Sequence, residues 1–205
     1  MEWTPMEINP EMMDKLGVGG NWSFVDVLGL EGDQLSAVPK PCCALMLLFP
    51  LTQQHESFRQ KQADKVAAGS EVYFLKQSVG NSCGTIALLH SVGNNKDKMT
   101  FSKYITGQRG FVLFLQAIKE AHNDIAAEGR CVPEADKVNF HFIAFVNVNG
   151  QLYEFDGRMD GAVNHGDTTD DTFVMDAAKV CLGFMKREKD EVRFSAVALS
   201  KLNTN

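Results

Sequence analysis

An alternating pattern of apolar and polar residues dominates the second half of the chain. In residues 138–148 every second side chain, beginning with Val138, is apolar, and this period of two predicts a β-strand. Asn149-Gly150 follows at once, a dipeptide typical of two-residue hairpin turns, and residues 152–155 supply a return strand. The pattern therefore predicts an antiparallel hairpin that ends near residue 155.

Continuous apolar runs predict elements that are buried on every side. Residues 42–49 lie between Pro41 and Pro50 and predict a buried strand, whereas residues 85–92 predict an interior helix. Other patterns predict a helix over 52–68, a short strand over 72–76, a helix over 172–187 and a final strand over 191–199, and residues 21–28 fit either a strand or a short helix. Residues 94–110 are polar and contain glycine, so they predict no clear element.

Length and charge narrow the class of protein. A chain of 205 residues with 44% apolar and 22% charged residues is expected to form one globular domain over residues 1–205. The net charge of −6 argues against a nucleic-acid partner and suits a basic protein or peptide. No apolar run approaches the roughly 20 residues of a membrane span, and no signal peptide or C-terminal lipidation motif is evident, so we expect no membrane anchor.

The cysteines and histidines suggest neither a disulfide framework nor a metal site. The chain has five cysteines, at positions 42, 43, 83, 131 and 181, and this odd number at irregular spacing indicates a reducing, cytoplasmic environment. The remaining histidines at 55, 90, 122 and 165 lack the spacing of metal ligands. We therefore expect neither a metal nor a cofactor.

One cysteine nevertheless lies in a position suited to nucleophilic chemistry. Cys83 ends a loop of Gly, Asn and Ser residues and directly precedes the apolar helix predicted over 85–92. Unpaired backbone N–H groups and the partial positive charge at a helix N-terminus favour thiolate over thiol. Taken alone, a cysteine in this position is more often a packing residue, so its role depends on what else lies near it.

The hairpin supplies Cys83 with partners. A two-residue turn at Asn149-Gly150 places Ile143 opposite Asp156, and His141, two residues before Ile143, points to the same face. Diagonal neighbours on one face of a sheet lie within about 7–8 Å, close enough for an imidazole and a carboxylate to meet. The sequence therefore predicts a pair between His141 and Asp156.

Together these residues predict a thiol hydrolase. Cys83 would be the nucleophile, His141 would accept its proton and later protonate the leaving amine, and Asp156 would orient the imidazole. Gln77 lies six residues before Cys83, so its side-chain amide can fold back to bind the oxyanion together with the Cys83 backbone N–H. Each such donor lowers the barrier by roughly 3–4 kcal/mol.

The same residues belong to longer segments that resemble the ubiquitin carboxyl-terminal hydrolase family. These segments are Gln77 followed by Asn81-Ser82-Cys83-Gly84-Thr85, then Asn139-Phe140-His141-Phe142-Ile143, then Tyr153-Glu154-Phe155-Asp156-Gly157-Arg158. Residues 5–10, 22–30 and 191–197 extend the similarity, which is nearest the neuronal-type isozyme of that family.

The resemblance implies an α+β, papain-like cysteine peptidase with a central antiparallel β-sheet flanked by helices and a knotted backbone. It implies cleavage of small adducts from the C-terminal glycine of ubiquitin, with a crossover loop over residues 128–137 that limits the leaving group. It further implies that Pro5, Met6, Ile8 and Phe194 contact ubiquitin.

One segment departs from the family pattern and keeps an alternative open. Residues 94–114 are shorter than the family leads us to expect and do not align with it. If this change disturbs the strand that carries His141, the chain would bind and sequester ubiquitin with little turnover. A different papain-like enzyme, such as an acyltransferase, is a third interpretation. The natural adducts, the alignment of the free site and the oligomeric state stay open at this point.

Overall fold

The computed structural model describes residue 13 and residues 18–66, 71–101 and 140–202. The strands are β1 (Val18–Gly19), β2 (Trp22–Asp26), β3 (Cys42–Pro50), β4 (Thr100–Phe101), β5 (Phe140–Val148), β6 (Gln151–Phe155), β7 (Val163–Asp167) and β8 (Ser195–Lys201). The helices are α1 (Gly32–Ser36), α2 (Gln53–Gln62), α3 (Cys83–Gly93) and α4 (Phe173–Arg187), with a short 3-10 helix at Ala63–Lys65.

Six strands form an antiparallel sheet in the order β2-β8-β3-β5-β6-β7, while β1 and β4 pair separately. The buried strand predicted over 42–49 is confirmed as β3, which lies in the middle of the sheet and extends to Pro50. The ambiguous residues 21–28 contain strand β2.

Alternate residues of the central strands enter two hydrophobic cores, one on each face of the sheet. Ala44 and Met46 pack in the core that contains the apolar residues of α3, whereas Leu45 and Leu47 pack in the core that contains those of α4. A strand covered on both faces is apolar at every position, which explains the continuous apolar run in its sequence. The predicted α+β sheet flanked by helices is confirmed.

Helix α2 begins at a side-chain cap. Thr52 caps α2, because its hydroxyl accepts a hydrogen bond from the His55 backbone N–H at 3.0 Å. The predicted helix over 52–68 is confirmed in its first part, but α2 ends at Gln62 and a 3-10 turn follows. The helices predicted over 85–92 and 172–187 are confirmed as α3 and α4.

The predicted hairpin is confirmed together with its register. Asn149 and Gly150 both adopt positive φ angles, 53° and 80°, as a type I′ turn requires. Val148 therefore pairs with Gln151, and the ladder continues without a shift to Ala144 and Phe155. The next pair along this register is Ile143 opposite Asp156.

Two strand predictions were wrong in different ways. The segment over residues 72–76 is not a strand, and the backbone of Tyr73 and Leu75 bonds to side chains of α3 instead of to a neighbouring strand. The final strand begins at Ser195 rather than at residue 191. Strand β7 was missed, because its sequence Val-Asn-His-Gly-Asp carries no apolar alternation.

Several expectations concern residues outside the described part of the chain. They include the crossover loop over 128–137, residues 102–114 of the atypical segment, and the N-terminal residues Pro5, Met6 and Ile8. The knotted path of the backbone depends on these stretches as well, and it stays a prediction.

Candidate active site

Cys83 lies at the first position of α3, at the end of a tightly folded loop. Helical hydrogen bonding starts there, since the Ile86 N–H donates to the carbonyl of Ser82 at 2.9 Å. Just before it, the Val79 carbonyl accepts hydrogen bonds from Ser82 Oγ at 2.8 Å and from Gln77 Nε2 at 3.0 Å. These bonds close the loop around the cysteine, whose side chain remains partly exposed.

The predicted contact between His141 and Asp156 is confirmed. His141 Nε2 donates to Asp156 Oδ1 at 2.7 Å, and the two side chains are only 2% and 1% exposed. The same carboxylate oxygen also accepts a backbone hydrogen bond, because the Arg158 N–H donates to Asp156 Oδ1 at 2.8 Å. The edge of the imidazole ring packs against Phe49, with the ring centroids 5.9 Å apart.

His141 also interacts with Cys83 closely enough to shift the pKa of its thiol, so the three side chains lie in one series. Because Nε2 is engaged with Asp156, Nδ1 is the ring nitrogen available to the sulfur. Burial of the Cys83 thiol raises its pKa, but the hydrogen bond and charge of His141, together with backbone hydrogen bonds, lower it below the usual value. The site therefore favours thiolate, as the helix N-terminus alone also would.

The pKa of His141 moves in the opposite direction. Burial alone would lower it, but the hydrogen bonds to Asp156 and Cys83 outweigh burial and raise it to about 9. The pKa of Asp156, which burial would raise, is lowered to about 2 by the hydrogen bond from His141 and by nearby positive charge. The geometry thus stabilises a thiolate, an imidazolium and a carboxylate in sequence.

A second layer of charged residues surrounds Asp156, and sequence reasoning missed it. Arg59 of α2 places Nη1 3.7 Å from Asp156 Oδ2 and also pairs with Glu56. Glu56 in turn accepts from Arg158 Nη1 at 3.1 Å. A partial signal was present, since Glu56 and Arg59 are one helical turn apart, but nothing local connected them to Asp156.

Gln77 lies close to the end of strand β6. Its backbone N–H donates to the Gly157 carbonyl at 2.7 Å, and its side-chain Oε1 is buried with no hydrogen-bond partner among the described residues. A Cβ atom on Gly157 would lie 2.7 Å from Ile86 Cγ2 and 3.2 Å from Gln77 Cβ. Only glycine permits this close approach. The hydrogen bond from Gln77 to Gly157 ties the Gln77 backbone to the residue that follows Asp156.

The remaining cysteines of the described residues lack such an environment. Burial raises the pKa of Cys42 to about 11 and raises the pKa values of Cys43 and Cys181 well above the usual range. No group of histidine, cysteine and acidic side chains suited to a metal ion occurs within the described ranges. His165, for example, bonds to the buried carboxylate of Glu154 at 2.7 Å.

Of the four residues expected to contact a protein substrate, only Phe194 lies in the described part of the chain. Its ring stacks on Phe49 with the centroids 6.5 Å apart, so one aromatic ring separates it from His141. Among the helices that the structure describes, none combines the length and the apolar character needed to cross a bilayer.

A helix-terminal thiol joined to a buried imidazole and carboxylate, on a sheet flanked by helices, is the arrangement of a papain-like thiol hydrolase. Residues 3–186 match the family model described as ubiquitin carboxyl-terminal hydrolase, family 1. The chain is also 53% identical to ubiquitin carboxyl-terminal hydrolase isozyme L1 of Homo sapiens, with 98% of this chain and 99% of the relative covered. This chain therefore belongs to ubiquitin carboxyl-terminal hydrolase family 1.

Solved structures support the same fold. The catalytic domain of Trichinella spiralis UCH37, bound to ubiquitin vinyl methyl ester, matches with a TM-score of 0.74 at 22% identity and covers 98% of this chain and 97% of its own.

Among the sequence relatives, ubiquitin carboxyl-terminal hydrolase isozyme L1 of Bos taurus is 46% identical to this chain. The alignment with the human isozyme spans 228 positions against a chain of 205 residues, so that relative contains residues that this chain lacks.

Proposed function

We propose that this chain, a cysteine-type deubiquitinating enzyme by family, cleaves adducts from the C-terminal glycine of ubiquitin through Cys83. The series of Cys83, His141 and Asp156, in which His141 bonds to Asp156 at 2.7 Å and lowers the pKa of Cys83, is the observation that carries this assignment. The Trichinella spiralis relative, which shares the fold, was captured with ubiquitin bearing a C-terminal vinyl methyl ester. Such an ester is an electrophile that a nucleophilic thiolate attacks.

The reaction follows from the charges of the three groups. The Cys83 thiolate attacks the carbonyl carbon of the terminal glycine, and the resulting tetrahedral intermediate carries its negative charge on oxygen. The His141 imidazolium then protonates the leaving amine, which departs and leaves a thioester on Cys83. Neutral His141 next removes a proton from water, which attacks the thioester and releases ubiquitin, while Asp156 holds the imidazole in orientation throughout.

Gln77 and the Cys83 backbone N–H are the proposed oxyanion donors. In the free site one N–H of the Gln77 amide is used by the Val79 carbonyl at 3.0 Å. The amide carries two N–H groups, so the second is available to an incoming oxygen. Removal of one such donor costs about 100- to 1,000-fold in kcat in enzymes of this kind.

Charge and an apolar groove support ubiquitin as the protein partner. The chain carries a net charge of −6, which favours a partner with a basic C-terminal tail. A groove of about 320 Å³ runs past Phe194 and Leu30 to Leu28, whose side chain is 82% exposed. Phe194 is therefore proposed to contact ubiquitin, and the N-terminal residues Pro5, Met6 and Ile8 are assigned the same role from the family pattern.

The same reasoning proposes one catalytic domain over residues 1–205 that acts in the cytoplasm. One sheet connects six of the described strands, from β2 near the start of the chain to β8 near its end, and the family match extends over most of the chain. The four cysteines in the described ranges are free thiols, which suits a reducing compartment. The lowered pKa of the Cys83 thiol beside His141 favours turnover over sequestration of ubiquitin, because a binding protein needs no stabilised thiolate.

The test is release of a fluorophore from the C-terminus of ubiquitin by the wild-type chain and by Cys83→Ala. We expect the variant to lose all measurable turnover while calorimetric titration still detects ubiquitin binding. Cys42→Ala is the matched control, since Cys42 is a buried cysteine with a raised pKa, and it should retain turnover. Unchanged turnover in Cys83→Ala would remove Cys83 as the nucleophile, and a wild-type chain that binds ubiquitin without turnover would favour sequestration.

A further inference from the structure

Residues 73–77, here called the Gln77 segment, run beside α3 without forming a ladder with any described strand. Partly buried backbone N–H and C=O groups need hydrogen-bond partners, because an unpaired buried group costs about 1–3 kcal/mol. In a strand the neighbouring backbone would supply these partners. Here the side chains of α3 supply them.

Asn94, at the C-terminal end of α3, binds the backbone of Tyr73 on both sides. Its Oδ1 accepts from the Tyr73 N–H at 2.8 Å, and its Nδ2 donates to the Tyr73 carbonyl at 2.9 Å. Nδ2 also donates to the carbonyl of His90 at 2.8 Å, which fixes the plane of the amide. The amide of Asn94 therefore does for Tyr73 what the peptide group of an adjacent strand would do.

His90, one helical turn earlier, binds the next alternate residue. Its Nε2 lies 3.0 Å from the Leu75 nitrogen and 3.1 Å from the Leu75 oxygen, so either neutral tautomer bonds to the same peptide backbone. Burial lowers the pKa of His90 to about 4, and the ring is neutral at physiological pH. The ring also stacks on Phe74, with the centroids 5.0 Å apart.

The sequence of α3 allows this close contact. A Cβ atom on Gly93 would lie 2.5 Å from Cδ1 of the Tyr73 ring, so only glycine lets that ring pack against the end of the helix. The next alternate residue after Tyr73 and Leu75 is Gln77, whose backbone N–H donates to the Gly157 carbonyl at 2.7 Å. Three anchors at residues 73, 75 and 77 thus fix the whole segment.

We infer that Asn94 and His90 are positioning residues that set the Gln77 amide relative to Cys83. His90 lies in the helix that begins with Cys83, and Asn94 is the C-cap residue directly after it. One rigid element therefore carries the nucleophile at its start and holds the oxyanion donor at its other end. An oxyanion donor acts only within about 2.7–3.1 Å of the developing charge, so release of the segment costs turnover without loss of substrate binding. This inference rests on the proposed role of Gln77.

The first experiment compares Asn94→Ala with Asn95→Ala. Asn95 is the matched control because it is an adjacent asparagine whose Nδ2 donates to the carbonyls of Cys43 and Ser91, away from the Gln77 segment. We expect Asn94→Ala to lower kcat about tenfold with KM within twofold of wild type, and Asn95→Ala to leave both within twofold. Asn94→Asp, which keeps the acceptor for the Tyr73 N–H, should give an intermediate kcat and serves if Asn94→Ala does not fold.

The second experiment repeats Asn94→Ala in a Gln77→Ala background. Positioning through Gln77 predicts that the second substitution then changes kcat less than twofold, because its target is gone. If Asn94→Ala lowers kcat equally in both backgrounds, the inference is overturned and the role is structural. If Gln77→Ala alone leaves kcat unchanged, the proposed oxyanion role of Gln77 has failed, which overturns the inference for a different and recognisable reason.

The third measurement is alkylation of Cys83 by iodoacetamide, followed by peptide mass spectrometry. In this reaction the thiolate forms a C–S bond at a saturated carbon and iodide leaves, so no oxyanion develops. We expect Asn94→Ala and wild type to be alkylated at Cys83 at rates within twofold of each other. A fall in the alkylation rate that matches the fall in kcat would mean that the nucleophile itself is disturbed, and it would overturn the inference.

Discussion

Two regions bring chemical groups to Cys83, and they do so by different physical means. The β5–β6 hairpin holds His141 and Asp156 through the register of a backbone ladder, in which every pair follows from the turn. The Gln77 segment has no such ladder and depends on two side chains of α3. The first region is fixed by secondary structure, whereas the second is fixed by individual side chains that substitutions can remove one at a time.

A pair of buried histidines illustrates the same contrast. His141 contacts a carboxylate, and its pKa is raised to about 9 although burial alone would lower it. His90 is equally buried, but its ring bonds to a peptide group and packs against aromatic rings among the described residues, and burial lowers its pKa to about 4. Burial therefore does not decide the charge of a histidine here. The partner at the ring nitrogen decides it, so His141 is the histidine proposed to do the chemistry, whereas His90 supports the structure.

The largest expected effect comes from removing the carboxylate of the hairpin. Asp156→Ala should lower kcat about 1,000- to 10,000-fold, because His141 loses both its orientation and the charge that stabilises the imidazolium. Steady-state release of a fluorophore from ubiquitin measures it. Asp167→Ala, at an exposed aspartate of β7, is the control and should retain activity. A loss of less than tenfold in Asp156→Ala would mean that Asp156 does not orient the imidazole of His141.

A smaller fall in kcat is expected when a substitution displaces the Gln77 segment. Gly157→Ala puts a Cβ atom 3.2 Å from Gln77 Cβ and 2.7 Å from Ile86 Cγ2, so the segment must shift. We expect kcat to fall about tenfold to 100-fold, within the range for a displaced oxyanion donor. Gly19→Ala is the control, since its added Cβ would meet only ordinary contacts at 3.6 Å or more. Full activity in Gly157→Ala would contradict a tight role for the segment.

The smallest effect concerns pH and separates the two regions. His141 loses its proton as the pH rises through about 9, so kcat/KM should fall above that pH, by about tenfold for each further unit. The measurement is kcat/KM between pH 6 and 10.5. Asn94→Ala should show the same fall in kcat/KM at high pH, because that variant leaves the hairpin unchanged. If the pH at which kcat/KM begins to fall moves by a full unit in Asn94→Ala, the two regions are not independent.

Much of this site could be predicted from the sequence wherever local chemistry decides the geometry. Asn149-Gly150 set the turn, the turn set the register, and the register brought His141 to Asp156. The start of α3 at Cys83 followed equally from a polar loop that meets an apolar run.

The rest could not be predicted, because it depends on contacts between distant parts of the chain. The apolar and aromatic residues 72–75 are typical of a short strand, and nothing local indicates that Asn94 and His90 replace the neighbouring strand. Arg59 lies almost 100 residues before Asp156, and only the packed fold brings the two together. Strand β7 is polar because it lies at the edge of the sheet, where alternation gives no signal.

The hydrogen bond between the Gln77 N–H and the Gly157 carbonyl has a consequence for redesign of the chain. It joins the segment that carries the proposed oxyanion donor to the residue that follows Asp156, so both parts of the proposed catalytic site depend on one hydrogen bond. A substitution in the hairpin that is meant to admit a bulkier adduct would therefore also shift the position of Gln77. In chimeras with related chains, residues 73–77 and 156–158 should therefore be exchanged together.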